Sequence, residues 1–100
     1  MGKSKHDIIA ERIARKEGSK YNNGKGADVK SSRRVIEVAT HVGDLSDSIK
    51  QLQGYKKPRY LATSSKLIPI AINKTRDTKI GVMGPTGHIW KRAGRTTNKT

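Results

Sequence analysis

Two carboxylates in the stretch NNGKGADVKSSRRVIEVATHV, residues 22–42, stand where chemistry could use them. Asp28 follows a glycine-rich bend at Gly24 and Gly26, and Glu37 interrupts the apolar run Val35-Ile36-Glu37-Val38-Ala39. ADVK and RRVIEVATHV are β-prone and joined by the polar Ser31-Ser32-Arg33, the pattern of a hairpin. If Ser32 and Arg33 form its loop, residue 31 opposes 34 and Asp28 opposes Glu37, with Cβ atoms ~5 Å apart. Like charges facing each other weaken a sheet, and a divalent cation between them removes the conflict. Hard oxygen donors suit Mg2+ or Mn2+, so Asp28 and Glu37 are the candidate metal ligands. A one-residue change of loop would send one carboxylate to the other face, and Ser-Arg is not a preferred pair for a tight type I′ turn. Each acid also has a plainer use. Asp28 suits a turn in which it bonds its own backbone, and Glu37 suits an edge strand whose charge discourages aggregation.

Fewer of the other reactive residues form a pattern. His6, His41 and His88 show no metal-ligand spacing, although His41 shares a strand face with Glu37. Gly81-x-x-Gly84-x-x-Gly87 reads as turn chemistry rather than a phosphate loop. With no cysteine, disulfides, thiolate zinc sites and cysteine nucleophiles are excluded. Lys56-Lys57-Pro58-Arg59 is the densest basic cluster, either a solvated loop or a phosphate clamp. Tyr55, Tyr60 and Trp90 are too spread to form a stacking platform, and Trp90 is expected against the sheet with its N–H on a partner or water.

These residues must be positioned by a small chain. One hundred residues make one domain, and a hydrophobic fraction of 32% without phenylalanine implies a compact aliphatic core. Lys and Arg number 22 against 8 acids, a net charge of +14, and nucleic acid is the default partner for so basic a chain. Seven of the eight acids lie between Asp7 and Asp47, which leaves the C-terminal half strongly basic. No signal-peptide pattern and no apolar run of the ~20 residues needed to span a bilayer are present, so a cytoplasmic protein without membrane contact is expected.

Ser4 is a candidate N-cap with Asp7 three positions on. HDIIAERIARKEG reads as a helix with Ile9 and Ile13 on one face, Ala10 and Ala14 beside them, and Gly18 at C′. GDLSDSIKQLQGY is a second helix with the stripe Leu45, Ile49, Leu52. RYLAT follows Pro58 as a strand, a short helix begins at Ile68 or Pro69, and KIGVMG and HIWKRA form a closing hairpin. The order is helix, hairpin, helix, strand, short helix, hairpin. That is an α/β fold with a mixed central sheet flanked by helices. Residues 1–93 form the domain and 94–100 a flexible basic tail.

A glycine-rich bend, Asp28, then Glu37 in an apolar strand lie behind a helix bearing Glu11 and ahead of Gln51-Leu52-Gln53-Gly54-Tyr55. Over about residues 5–63 this set resembles the PD-(D/E)xK nuclease superfamily, in particular archaeal Holliday-junction resolvases and RecB-type domains with their QxxxY element. The resemblance implies a restriction-endonuclease-like αβββαβ core and metal-dependent phosphodiester hydrolysis. By position, Asp28 and Glu37 would hold Mg2+ or Mn2+, and Glu11 would be the acid of the first helix. Gln51 and Tyr55 would buttress the site or touch substrate. A homodimer is a further implication.

Two departures stand out. Ala39 occupies the place of the superfamily's lysine, and Ala27 a place often held by proline. Losing a preorganised donor of this kind costs ~10²–10³-fold in rate. Lys50 is the candidate substitute by sequence, although on the helix it falls away from the Gln51/Tyr55 side, and Lys25 and Lys30 are unranked alternatives. The expectation is therefore a nuclease-like domain that binds nucleic acid, DNA ahead of RNA, through Lys25, Lys50, Lys56, Lys57 and Arg59, with cleavage weakened or lost. Its rivals are an active nuclease with a relocated lysine, and a basic RNA- or ribosome-associated protein with no metal site.

Overall fold

The computed structural model describes residues 4–22 and 27–94. Lys25, the bend at Asn23, Gly24 and Gly26, and the tail after Gly94 therefore lie outside the described residues.

Helix α1, Lys5–Lys16, starts where Ser4 Oγ accepts the Asp7 amide at 3.1 Å. It ends in a Schellman turn. Gly18 adopts φ +70°, its amide donates to Arg15 O, and the Ser19 amide donates to Ala14 O at 2.8 Å, which satisfies carbonyls the helix leaves open. Strands β1 (Val29–Lys30) and β2 (Val35–Ala39) form the first hairpin, and α2 (Val42–Leu52) leads to β3 (Arg59–Thr63). A 3₁₀ turn at Ser65–Leu67 runs into α3 (Ile68–Lys74), and β4 (Gly81–Met83) and β5 (Ile89–Lys91) close the fold.

The five strands form one sheet in chain order. β2, β3 and β4 run parallel through the middle, and β1 and β5 are antiparallel edges. Side-chain alternation sorts the apolar residues to two faces. Ile36, Val38, Tyr60, Ala62 and Met83 meet Ile9, Ala10, Ile13 and Ala14 of α1. Val35, Ala39, Leu61 and Val82 meet Leu45, Leu52, Ile68 and Ala71 of α2 and α3. Burial on both faces is why the middle strands are nearly continuously apolar. Gly81 is needed where β4 passes under Tyr60, because a Cβ there would collide with that ring and with Lys91 O. No helix among the described residues is long and apolar enough to cross a membrane.

The α/β architecture and the order of elements match the expectation. Two details differ. Only two strands precede α2 among the described residues, and Tyr21 adds a single antiparallel bridge to Val29 where a further strand would lie. Trp90 does not pack against the sheet but is 56% exposed. It sits on edge strand β5, where Gly84 and His88 lie against the ring and leave about half of it to solvent.

Candidate functional site

The β1–β2 loop is held by a side chain. Ser31 Oγ accepts the amides of Arg33 and Arg34 at 3.2 and 3.1 Å, and the Ser31 amide donates to Arg34 O at 2.9 Å. That hydroxyl closes a loop for which Ser-Arg is a poor pair by backbone preference alone. The resulting register opposes Lys30 to Val35 and Val29 to Ile36, which brings Asp28 level with Glu37.

At Asp28 side chains take over the hydrogen bonding. The Val38 amide donates to Asp28 Oδ2 at 2.8 Å, and the Asp28 amide donates to Glu37 Oε1 at 3.2 Å. The carboxyls thus hold each other's strands while standing close together. Tyr55, half-buried just after α2, receives the Ala27 amide on its hydroxyl at 3.0 Å. From the other face, His6 Nε2 lies 3.1 Å from Asp28 Oδ2. The second ring nitrogen of His6 is 3.3 Å from the Tyr21 hydroxyl, which donates to Asp7 Oδ1 at 2.8 Å.

Burial pushes the Glu37 carboxyl up to about 7, and the charge of Asp28 adds to the effect. Asp28 is also raised, first by burial, with the Val38 amide and His6 opposing. Asp7 is held below its ordinary value chiefly by the Tyr21 hydroxyl. Tyr21 is raised by burial and by Asp7. Two adjacent carboxyls that resist joint ionisation would be relieved by a cation.

The donor chemistry fits a hard divalent ion. Asp28 Oδ1 and Glu37 Oε2 are left without a protein donor among the described residues. No group of three or more His, Cys, Asp or Glu side chains among them is arranged to hold a metal. The pair would therefore offer two carboxylate ligands, as Mg2+ commonly accepts when water and phosphate complete its shell.

The remaining site candidates divide. Glu11 lies beside Tyr21 and is not among the groups that act on Asp28 or Glu37. Gln51 is exposed on α2, one turn from a Tyr55 that reaches inward. Lys50 and Lys56 are exposed, Arg59 is half-buried opposite Val35, and Lys57 donates to Ser31 O at 3.0 Å at the hairpin end. Ala39 is buried against α2. Among the described residues the nitrogen side chain touching the pair is therefore His6 and not a lysine. His6 is a site residue that the sequence expectations miss, although its position carries a signal. It stands three residues before Ile9 and seven before Ile13, on the buried face of α1. His41, in contrast, is exposed at the N-cap of α2.

The chain matches no protein-family model, no curated protein and no solved structure.

Proposed function

We propose that this chain is a small basic nuclease-like domain that binds nucleic acid, DNA ahead of RNA, with a carboxylate pair able to take one Mg2+ or Mn2+. The observation that carries the reading is the meeting of Asp28 and Glu37, where Glu37 Oε1 accepts the amide of Asp28 itself. Two acids with raised pKa values, Asp28 buried and Glu37 half-buried in the middle of β2, are costly to keep, and such groups gather at functional sites. Asp28 and Glu37 would hold the ion. When bound it would supply positive charge opposite a phosphodiester's oxygens. Tyr55 fixes the backbone that presents Asp28, and His6 orients the Asp28 carboxyl through Oδ2. The likeness to the PD-(D/E)xK core is part of this proposal. So is weakened cleavage, since Ala39 brings no ammonium to the pair.

The experiment is a cleavage and binding assay on junction, single-stranded and duplex DNA with and without Mg2+ or Mn2+, beside NMR of the amides of Asp28, Val38 and Glu37. Metal-dependent shifts at those amides with slow or absent cleavage are expected. Unmoved amides at saturating metal would remove the metal site from the reading. A second reading is favoured by the bond from the Val38 amide to Asp28 Oδ2, which gives that acid a structural use without metal. On that reading the chain is a basic RNA-binding protein, and RNA would outcompete DNA at matched salt.

A further inference from the structure

The parallel strands β2, β3 and β4 run out at Thr40, Ser64 and Gly84. A groove of about 340 Å3 opens beside them, lined by Lys5, Ile8 and Arg12 of α1 and by Ser64, Lys66 and Pro85 after β3 and β4. No acid lines it. Neither Lys5, Arg12 nor Lys66 is paired with a carboxylate among the described residues. Lys5 also borders a neighbouring depression formed with His6, Thr40, His41 and the acid Asp44. His6 is also the residue in contact with Asp28, so one side chain lies between that depression and the carboxylate pair.

Beyond Pro85 and Lys66, outside the groove's own lining, stands a half-exposed aromatic, Trp90. A Cβ added to Gly84 would lie 3.0 Å from Trp90 Nε1 and 3.4 Å from Ile68 Cδ1. The indole therefore rests at the Gly84–Pro85 corner, close to the Lys66–Ile68 segment. His88 packs edge-on to it, with ring centroids 4.9 Å apart, which restrains the ring while leaving it 56% exposed.

We propose that this groove carries the backbone of an unpaired nucleic-acid strand, with Lys5, Arg12 and Lys66 on phosphates and Trp90 stacked on a base at the β4–β5 end. The proposal rests on the nucleic-acid reading above and adds the strand type and its path. Cations without acidic partners fit the phosphates. The exposed indole selects the unpaired strand, because bases within a duplex are already stacked on one another while a single strand offers their faces to an aromatic. Lys56, Lys57 and Arg59 lie at the opposite end of β3 and are outside this path.

Trp90 is the chain's single tryptophan, so its fluorescence reports on the subsite directly. The protein is titrated with a short oligothymidylate and with a duplex, both end-labelled for anisotropy, in the absence of divalent metal. Saturable quenching by oligothymidylate is expected, with affinity that falls as salt rises. The Arg12→Glu, Lys66→Glu double variant should bind ~10-fold or more weakly and lose about 1 from the salt slope per contact. Trp90→Ala should weaken binding roughly 5- to 100-fold by anisotropy. All three positions are exposed, and circular dichroism verifies the variants' fold.

Binding of oligothymidylate without quenching, or with unchanged affinity in the variants, would overturn the groove while leaving nucleic-acid binding intact. Tighter binding of duplex that leaves Trp90 unquenched would do the same. Quenching that follows protein concentration alone would mean that a second copy covers Trp90, and would also overturn it. Binding of neither nucleic acid would overturn both this proposal and the reading beneath it.

Discussion

At one edge of the sheet the ammonium of Lys91 on β5 donates to Ile80 O at 2.6 Å, Thr75 O at 3.1 Å and Thr78 O at 3.5 Å. At the other edge Asp28 and Glu37 share two backbone amides and keep one oxygen each without a protein donor. Both edges bury charge, and burial shifts both against ionisation, Lys91 downward and the carboxyls upward. The difference lies in partners. Lys91 uses all three of its donors on carbonyls, one of them the C-cap Thr75 of α3, where a cation is favoured. The carboxyls face each other and repel. The Lys91 edge satisfies its charge with carbonyls, whereas the carboxylate edge leaves two like charges facing each other.

Replacing Lys91 with Met should produce the largest loss. The stem's packing survives, but the carbonyls lose their shared donor, at a cost of about 2–3 kcal/mol. The midpoint of thermal unfolding should fall by roughly 10 °C or more. Metal and nucleic-acid affinity of the folded fraction should not change. A loss of affinity would mean that the two edges are coupled.

Glu37→Gln tests the opposite edge with the opposite sign. The folded-state pKa of Glu37, about 7, stands above its ordinary 4.5. Below pH 4.5 both folded and unfolded chains are protonated and no penalty exists. As pH rises through the interval up to 7, the unfolded chain releases a proton that the folded chain retains, so stability falls. Gln removes that loss while its Oε1 still accepts the Asp28 amide. The variant should match the parent in acid and exceed it by on the order of 1–2 kcal/mol at about pH 8 without metal, solvent screening at the half-buried carboxyl reducing the full effect, in denaturant titrations across pH. A flat pH difference would show that Glu37 ionises freely.

The contrast between the edges was half legible in the sequence. Alternation in VIEVA and the spacing of Asp28 from Glu37 predict the meeting of the carboxyls, because a hairpin's register follows from its loop. The loop itself depends on the Ser31 hydroxyl, a contact that turn preferences do not encode. Gly18 as C′ and a helix start at Ile68 or Pro69 follow from local backbone chemistry, and α3 takes the first of the two. Tertiary contacts were harder to read. Lys91 looks like one more surface cation in HIWKRA, and only the packing of α3 and β4 reveals its cage of carbonyls. Trp90 looks like a core residue by type, yet on edge strand β5 it meets only the Gly84 corner and His88 and stays 56% exposed. Gln51 and Tyr55 look like a pair by spacing, and the end of α2 turns only the tyrosine inward.

Added Mg2+ should raise the stability of the parent protein at about pH 8 by ~1.4 kcal/mol at ten times Kd, and should leave the stability of Glu37→Gln nearly unmoved. The measurement is a thermal-shift titration, with chelator restoring the original midpoint. An equal gain in Glu37→Gln would place the ion elsewhere.

Tyr55→Phe should have a smaller effect, and Gln51→Ala the smallest. Tyr55→Phe takes the acceptor from the Ala27 amide, a loss of about 1 kcal/mol. Gln51→Ala, at an exposed position, should stay within about 0.5 kcal/mol. The informative quantity is metal affinity. The Ala27 amide immediately precedes Asp28, so losing its anchor should loosen the carboxyl presented to the ion, while Gln51 has no such path to the pair. Reduced Mg2+ affinity in Tyr55→Phe with unchanged affinity in Gln51→Ala would mean that Tyr55 positions the site from the α2 face, as His6 does from the α1 face. Equal effects from both variants would return the two residues to a shared role on substrate.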